Sequence, residues 1–168
     1  MSYPYNNEMD QITDTIYLGN YEGCRNKKNL KLAGIKKILS VMDYAPQLNI
    51  EDNVTQKIIE VLDLPTTNII QYFGECIKFM EGKEKVLVHC WSGASRLATI
   101  VIAYVMWKFR LSAEDAHNYV FLKRTGILPN PGFKQQLKMF EKLLRDNHYD
   151  INKIDFYFID WNPKKKTK

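Results

Sequence analysis

Two hydrophobic rhythms alternate along the chain. Ile35 to Met42 and Lys57 to Leu62 are short segments rich in β-branched and aliphatic residues, which predicts two strands. From Asn68 to Met80, the residues Ile69, Ile70, Phe73, Ile77 and Met80 recur at helical spacing, and Gly82 marks the end of that helix. Val86-Leu87-Val88 is wholly apolar, the pattern of a strand buried in the middle of a sheet with helices on both faces. The uncharged stretch from Leu97 to Trp107 is too short to span a bilayer and reads as a buried core helix. Two more helices should follow, one capped by Ser112 with Asp115 three residues on, the other opening at Asn130 with Pro131 in its first position. The predicted fold is α/β, with a central, mostly parallel sheet flanked by helices on both faces and three or more helices after residue 96.

Composition narrows this to one core. At 168 residues and 45% hydrophobic content, the chain suits a single domain, residues 1–148, followed by an extension, 149–168. Cys24, Cys76 and Cys90 are odd in number and widely spaced, and His89, His117 and His148 are scattered, so neither disulfides nor a metal site is indicated. No cofactor is implied. No secretory signal is recognised, and Ser2 stands where a myristoylated chain has glycine, so the expected location is cytoplasmic, with access to the nucleus. The net charge of +5 is modest, and much of it lies in Lys164, Lys165, Lys166 and Lys168. That tail reads as solvated, capable of weak contact with acidic surfaces but not of nucleic-acid binding or stable membrane association. Before it, Ile151 to Trp161 is too aromatic for a free tail, and Phe156, Phe158 and Trp161 are expected to dock on the main domain. Nothing in the pattern specifies an oligomeric state.

The chemistry concentrates in His89-Cys90-Trp91-Ser92-Gly93-Ala94-Ser95-Arg96, between the apolar strand and the core helix. A cysteine heading a tight loop at a helix start faces inward N–H groups and the positive end of the helix, both of which favour thiolate. Arg96 can fold back over the same cradle, and its planar fork suits a phosphoryl group. With residue frequencies of roughly 5% each, the spacing H-C-x-x-G-x-x-R arises by chance in about one such chain per thousand. Phosphoryl transfer through cysteine is the reading.

With these residues in view, the chain resembles the cysteine-dependent protein phosphatases, and among them the small dual-specificity phosphatases. The likeness runs from Ile12 to Leu144 through Ile16-Tyr17-Leu18-Gly19, Asp63-Leu64-Pro65 with Asn68, the octet, Ala98 to Tyr104, and Pro129-Asn130-Pro131-Gly132-Phe133. It implies the cysteine-phosphatase fold and a phosphoprotein substrate, dephosphorylated at tyrosine and at serine or threonine through a phosphocysteine intermediate. Cys90 is then the nucleophile and Arg96 the phosphate clamp. Ser92, Ala94 and Ser95 offer backbone N–H groups, while Gly93 permits the turn. A thiolate expels an alkoxide poorly without a proton donor. Asp63, at a predicted strand end and ahead of the nucleophile in the family's order, is the candidate acid, with Asp43 and Asp52 as weaker alternatives.

Strand alternation turns the His89 side chain away from that of Cys90, and the resemblance gives His89 a supporting hydrogen-bonding role, with Asn130 as a second support. Trp91 either packs on a neighbouring loop or walls the pocket. Lys123 and Arg124 read as a solvated helix end rather than an anchor for a second phosphate. One residue departs from the family pattern: Leu97 stands where relatives carry a serine or threonine whose hydroxyl helps the sulfur leave. Two other readings share the scaffold: a phosphoinositide or RNA 5′-phosphate phosphatase, and a slow-turnover, phosphate-binding pseudophosphatase. The absence of lysine from Trp91 to Ser95 argues against the lipid enzyme, and the presence of Cys90 and Arg96 against the pseudophosphatase.

Overall fold

Alternation along the strands sorts their side chains onto two faces of one sheet. A computed structural model describes residues 8–164 of the protein. Strands β1 (Met9–Gln11) and β2 (Ile16–Gly19) precede two short helices, α1 (Tyr21–Arg25) and α2 (Lys27–Ala33). Then come β3 (Ile35–Met42), β4 (Thr55–Glu60), helix α3 (Phe73–Met80) and β5 (Lys85–His89). The helices α4 (Arg96–Phe109), α5 (Ala113–Lys123) and α6 (Pro131–Asp146) complete the main body. The sheet order is β1-β2-β5-β3-β4, with β1 antiparallel to β2 and every other pair parallel.

Ile16, Leu18, Leu39, Val41, Val86 and Val88 face the large core beneath α3 to α6. Tyr17, Ile38 and Leu87, one step out of phase, face a smaller core with Cys24 of α1 and Leu30 of α2. Helices therefore cover both faces, and β5 lies between β2 and β3, so its carboxyl end opens at the centre of the sheet. From Leu97 to Met106, every residue of α4 is buried. Ser112 and Asn130 accept hydrogen bonds from the N–H groups of Asp115 and Phe133, capping α5 and α6. Among the described residues, no helix is long and apolar enough to cross a membrane.

Several boundaries differ from the sequence pattern. The strand expected over 57–62 begins at Thr55 and ends at Glu60. As an edge strand it pairs through backbone, so its polar start carries no hydrophobic signal, and Leu62 beyond it is exposed. The helix expected from Asn68 opens instead as a 3-10 turn at Ile70–Tyr72 and becomes α-helical at Phe73. Gln136 accepts the Ile70 N–H at 3.0 Å, and the Asn68 side chain turns away to donate to the Ile159 carbonyl. That helix ends at Met80, with Gly82 just beyond at φ +117°. Helices α1 and α2 carry no long apolar period and rest on asparagine caps at Asn20 and Asn26.

The chain after α6 returns to the body. Ile151 and Ile154 are buried in the large core, Phe156 and Ile159 pack against it, and the Trp107 indole donates to the Tyr149 carbonyl. Phe158, expected to dock, is 77% exposed, because the 3-10 turn at Phe156–Phe158 points Phe156 inward and leaves its neighbours outside. Ser2 and the tail lysines 165, 166 and 168 lie outside the described residues. All three thiols are free and buried. Burial pushes the Cys24 thiol up to about 12, and pushes Cys76 above the ordinary thiol range as well.

Candidate active site

Cys90 follows the last residue of the central strand, and Arg96 begins α4, so the octet spans a strand end, a loop and a helix start. Three loop carbonyls are held from outside the loop, that of Trp91 by the Tyr21 N–H at 3.3 Å. Arg124 Nε donates to the Gly93 carbonyl at 3.2 Å, and the Leu128 N–H donates to the Ala94 carbonyl at 2.9 Å. With these carbonyls turned outward, the loop forms the kind of concavity in which successive N–H groups receive an anion. Gly93 sits at φ +72°, and a Cβ there would lie 2.5 Å from the Arg124 guanidinium, so both conformation and space require glycine. Cys90 is 2% exposed and Arg96 8% exposed.

Arg96 is oriented by two acceptors. Its Nη1 donates to the Val61 carbonyl at 3.0 Å and to Asp43 Oδ1 at 3.3 Å. Its Nε is buried and meets no protein acceptor, which leaves that N–H for an anion. Asp43 also receives the Trp91 indole N–H at 3.1 Å. A hydrogen bond from its own backbone, followed by those from Trp91 and Arg96, holds its carboxyl below the usual carboxylate range. Asp43 is therefore an ionised partner of Arg96, unsuited to the acid role weighed for it. Trp91 packs between Tyr21 at 4.7 Å and Tyr44 at 5.3 Å between ring centres, and remains 38% exposed. It thus joins the start of α1 to the loop after β3 while keeping a solvent-facing edge.

Asp63 comes to this loop through two side-chain donors. Its Oδ1 accepts from Ser95 Oγ at 2.7 Å and from Asn130 Nδ2 at 2.9 Å, and the Asn130 N–H returns to Ser95 Oγ at 3.1 Å. Ser95 thus links Asp63 to the loop after Cys90 by its hydroxyl, a contact for which the sequence offers no sign. Asp52 lies in the exposed turn before β4, away from the Cys90 loop in sequence and on the opposite side of β4 from Asp63.

His89 is fully buried, and its Nε2 shares a hydrogen bond of 2.6 Å with Ser40 Oγ. Burial lowers its pKa to about 4, so the imidazole is neutral at physiological pH. Ser40 is its register partner on β3, a pairing visible only once the strands are aligned.

Arg124 departs from the expectation of a solvated helix end. Its side chain is 11% exposed and pairs with Asp10 of β1 at 2.7 Å beneath Gly93. The contacts come from 31 and 114 residues away, too far for local sequence to announce. Lys123 is exposed, with its amine over the Tyr119 ring. Leu97 is fully buried. The nearby hydroxyls are engaged elsewhere, Thr99 donating to the Ser95 carbonyl and Ser95 to Asp63. Among the described residues, no cluster of three His, Cys, Asp or Glu side chains is placed to hold a metal ion.

Comparison with known proteins places this geometry in a family. The model described as dual specificity phosphatase, catalytic domain, matches residues 16–143. MAP kinase phosphatase with leucine-rich repeats protein 1 of Dictyostelium discoideum is 42% identical over 136 residues, which cover 79% of this chain but 16% of that protein. Dual specificity protein phosphatase 1B of Arabidopsis thaliana is 36% identical over 145 residues, covering 83% of this chain and 86% of the relative. The crystal structure of human tyrosine phosphatase-like serine/threonine/tyrosine-interacting protein superposes with a TM-score of 0.76 at 32% identity, covering 82% of this chain and 97% of that one. With most of its length matched both by the family model and by relatives well above 30% identity, this chain belongs to the dual specificity phosphatase family.

Proposed function

We propose that the protein hydrolyses phosphotyrosine and phosphoserine or phosphothreonine in other proteins through a phosphocysteine intermediate. The observation that carries this reading is the cradle itself. Gly93 and Ala94 carbonyls are tied outward, Cys90 stands at the loop's head, and the buried Arg96 fork has an uncommitted Nε–H. In the first step, the Cys90 sulfur attacks phosphorus, the bond from phosphorus to the leaving oxygen breaks, and Asp63 gives that oxygen a proton. Loop N–H groups from Trp91 to Ser95 and the Arg96 guanidinium hold the equatorial oxygens throughout. In the second step, Asp63, now a carboxylate, takes a proton from water as the water oxygen attacks phosphorus. The sulfur leaves as thiolate, and inorganic phosphate is released.

The donors around Asp63 fit this exchange. Ser95 and Asn130 both meet Oδ1, so the transferable proton belongs on Oδ2. His89 stays neutral and ties the end of β5, from which the loop departs, to β3 through Ser40 rather than acting as a base.

Cys90→Ser should reduce turnover by roughly three orders of magnitude or more while preserving fold and phosphate binding, because the hydroxyl stays protonated. Activity within tenfold of the native protein would remove Cys90 as nucleophile. Assaying phosphopeptides beside phosphoinositides and 5′-triphosphorylated RNA tests the substrate class in the same experiment. Preference for the lipid or the RNA would overturn the protein-substrate reading.

A further inference from the structure

The loop that carries Asp63 has little structure of its own. Leu62 to Thr66 are all exposed, and its internal backbone ties are the short turns Thr67 N–H to Leu64 and Ile69 N–H to Thr67. It is held from two sides. On one side is α6: a Cβ on Gly132 would run into the Pro65 carbonyl oxygen, and Gln136 Nε2 donates to the Thr67 carbonyl at 2.8 Å. On the other side is the chain that follows α6. Trp161 Nε1 donates to the Pro65 carbonyl at 2.8 Å, and Asn68 Nδ2 donates to the Ile159 carbonyl at 2.8 Å.

The second side has a firm base. Ile151 and Ile154 are buried, and the Phe156 ring lies 6.0 Å from that of Phe140. Phe156 presses on Gly74 of α3, where a Cβ would lie 2.6 Å from the ring. A returning segment anchored in the core thus grips the loop two residues from Asp63. This segment lies beyond residue 143, where the family match ends.

We propose that residues 154–161 form a clamp on the acid loop, with Trp161 and Asn68 as positioning residues that hold Asp63 over the leaving oxygen. This rests on Asp63 being the proton donor. Proton transfer requires hydrogen-bond reach, and small misplacements of a catalytic group are costly. The clamp therefore acts only through the acid, and loosening it slows substrates in proportion to their need for a proton.

The test compares kcat/KM for phenyl phosphate, whose leaving group requires protonation, with that for 2,4-dinitrophenyl phosphate, whose leaving group does not. Trp161→Phe keeps a ring and deletes the N–H donor. It should lower kcat/KM for phenyl phosphate about fivefold and leave the dinitrophenyl ester within about twofold, and Asn68→Ala should do the same. In an Asp63→Asn background, Trp161→Phe should add nothing. Ile38→Ala, in the smaller core on the other face of the sheet, controls for general loosening, and should lower the melting temperature without changing the ratio between substrates. Equal losses for both esters, or an unchanged ratio in Trp161→Phe while Asp63→Asn shifts it, overturns the clamp and leaves the acid assignment standing. If Asp63→Asn itself leaves the ratio unchanged, the acid assignment falls and takes the clamp with it.

Discussion

Cys90 is 2% exposed in a loop whose shape comes from a positive φ at Gly93 and from carbonyls bonded to Arg124 and Leu128. Asp63 is exposed, on a loop gripped by Ser95, Asn130, Gln136 and Trp161, all at least thirty residues downstream. One half of the site is shaped by backbone conformation with Arg124 behind it, the other by side chains converging from later in the chain. Damage behind the cysteine loop should therefore reach every substrate alike, while damage behind the acid loop should be graded by leaving group.

The largest effect tests that division directly. Asp63→Asn should lower kcat/KM for phenyl phosphate by roughly 10²–10³-fold, a typical loss for a general acid. The loss should be far smaller for 2,4-dinitrophenyl phosphate, and the basic limb of the pH–rate profile should flatten. Parallel losses on the two esters would mean that the two halves do not work separately.

The second step sharpens the cysteine side. No hydroxyl from Ser95 or Thr99 is free to assist the departing sulfur, and Leu97 offers none. A hydrogen bond to a charged group contributes about 1.5–3 kcal/mol, so hydrolysis of the intermediate should be slower by roughly one to two orders of magnitude. Rapid mixing of the native protein with an aryl phosphate should give a burst close to one equivalent. Leu97→Ser should shrink the burst and raise the steady-state rate, with its melting curve recorded because Leu97 is a core residue. A linear time course without a burst would show that the missing hydroxyl does not limit turnover.

Arg124→Ala should act from behind the same loop. Removing a largely buried guanidinium leaves Asp10 and the Gly93 carbonyl short of a donor, at a cost of about 2 kcal/mol in stability. The catalytic loss should be equal for the two esters, and a graded loss would blur the distinction drawn above.

The smallest effect is a pH dependence of stability. His89 has a folded pKa near 4, below the unfolded value of about 6.5, so the unfolded chain binds more protons between those values. Stability from this group is intact above the unfolded pKa and lost as pH falls, by about 1 kcal/mol between pH 7 and 5.5. Urea unfolding across that range should show the loss, and His89→Gln should abolish the dependence. An identical slope in the variant would assign the acid sensitivity to other groups.

The two halves also differ in how far sequence reveals them. The octet is legible because Cys90, the turn glycine Gly93 and Arg96 lie within eight residues, and the caps at Ser112 and Asn130 are equally local. Arg124 reads as a solvated end because Asp10 and Gly93 reach it only through the fold. Ser95 reads as a backbone donor for the same reason, its hydroxyl meeting Asp63 from 32 positions away. The start of β4 and the strand β1 escape notice because short or edge pairing needs no apolar run. Phe158 misleads in the opposite direction, since aromatic content predicts docking without saying which of three successive side chains turns inward.

The buried thiols have a consequence for redox chemistry. Electrophiles and peroxide react with thiolate, and Cys24 and Cys76 are held as thiols by burial, Cys24 with its Sγ donating to the Tyr21 carbonyl at 3.0 Å. Neither is suited to resolve an oxidised Cys90 as a disulfide without opening the core. Mild peroxide should therefore yield a single modified cysteine rather than an internal crosslink, and one equivalent of iodoacetamide should label Cys90 alone in the native protein. Mass spectrometry showing labelled Cys24 or Cys76, or a disulfide between any two of the three, would contradict this. Phosphate should protect that one sulfur, so that the extent of protected labelling counts the fraction of molecules whose cradle is intact.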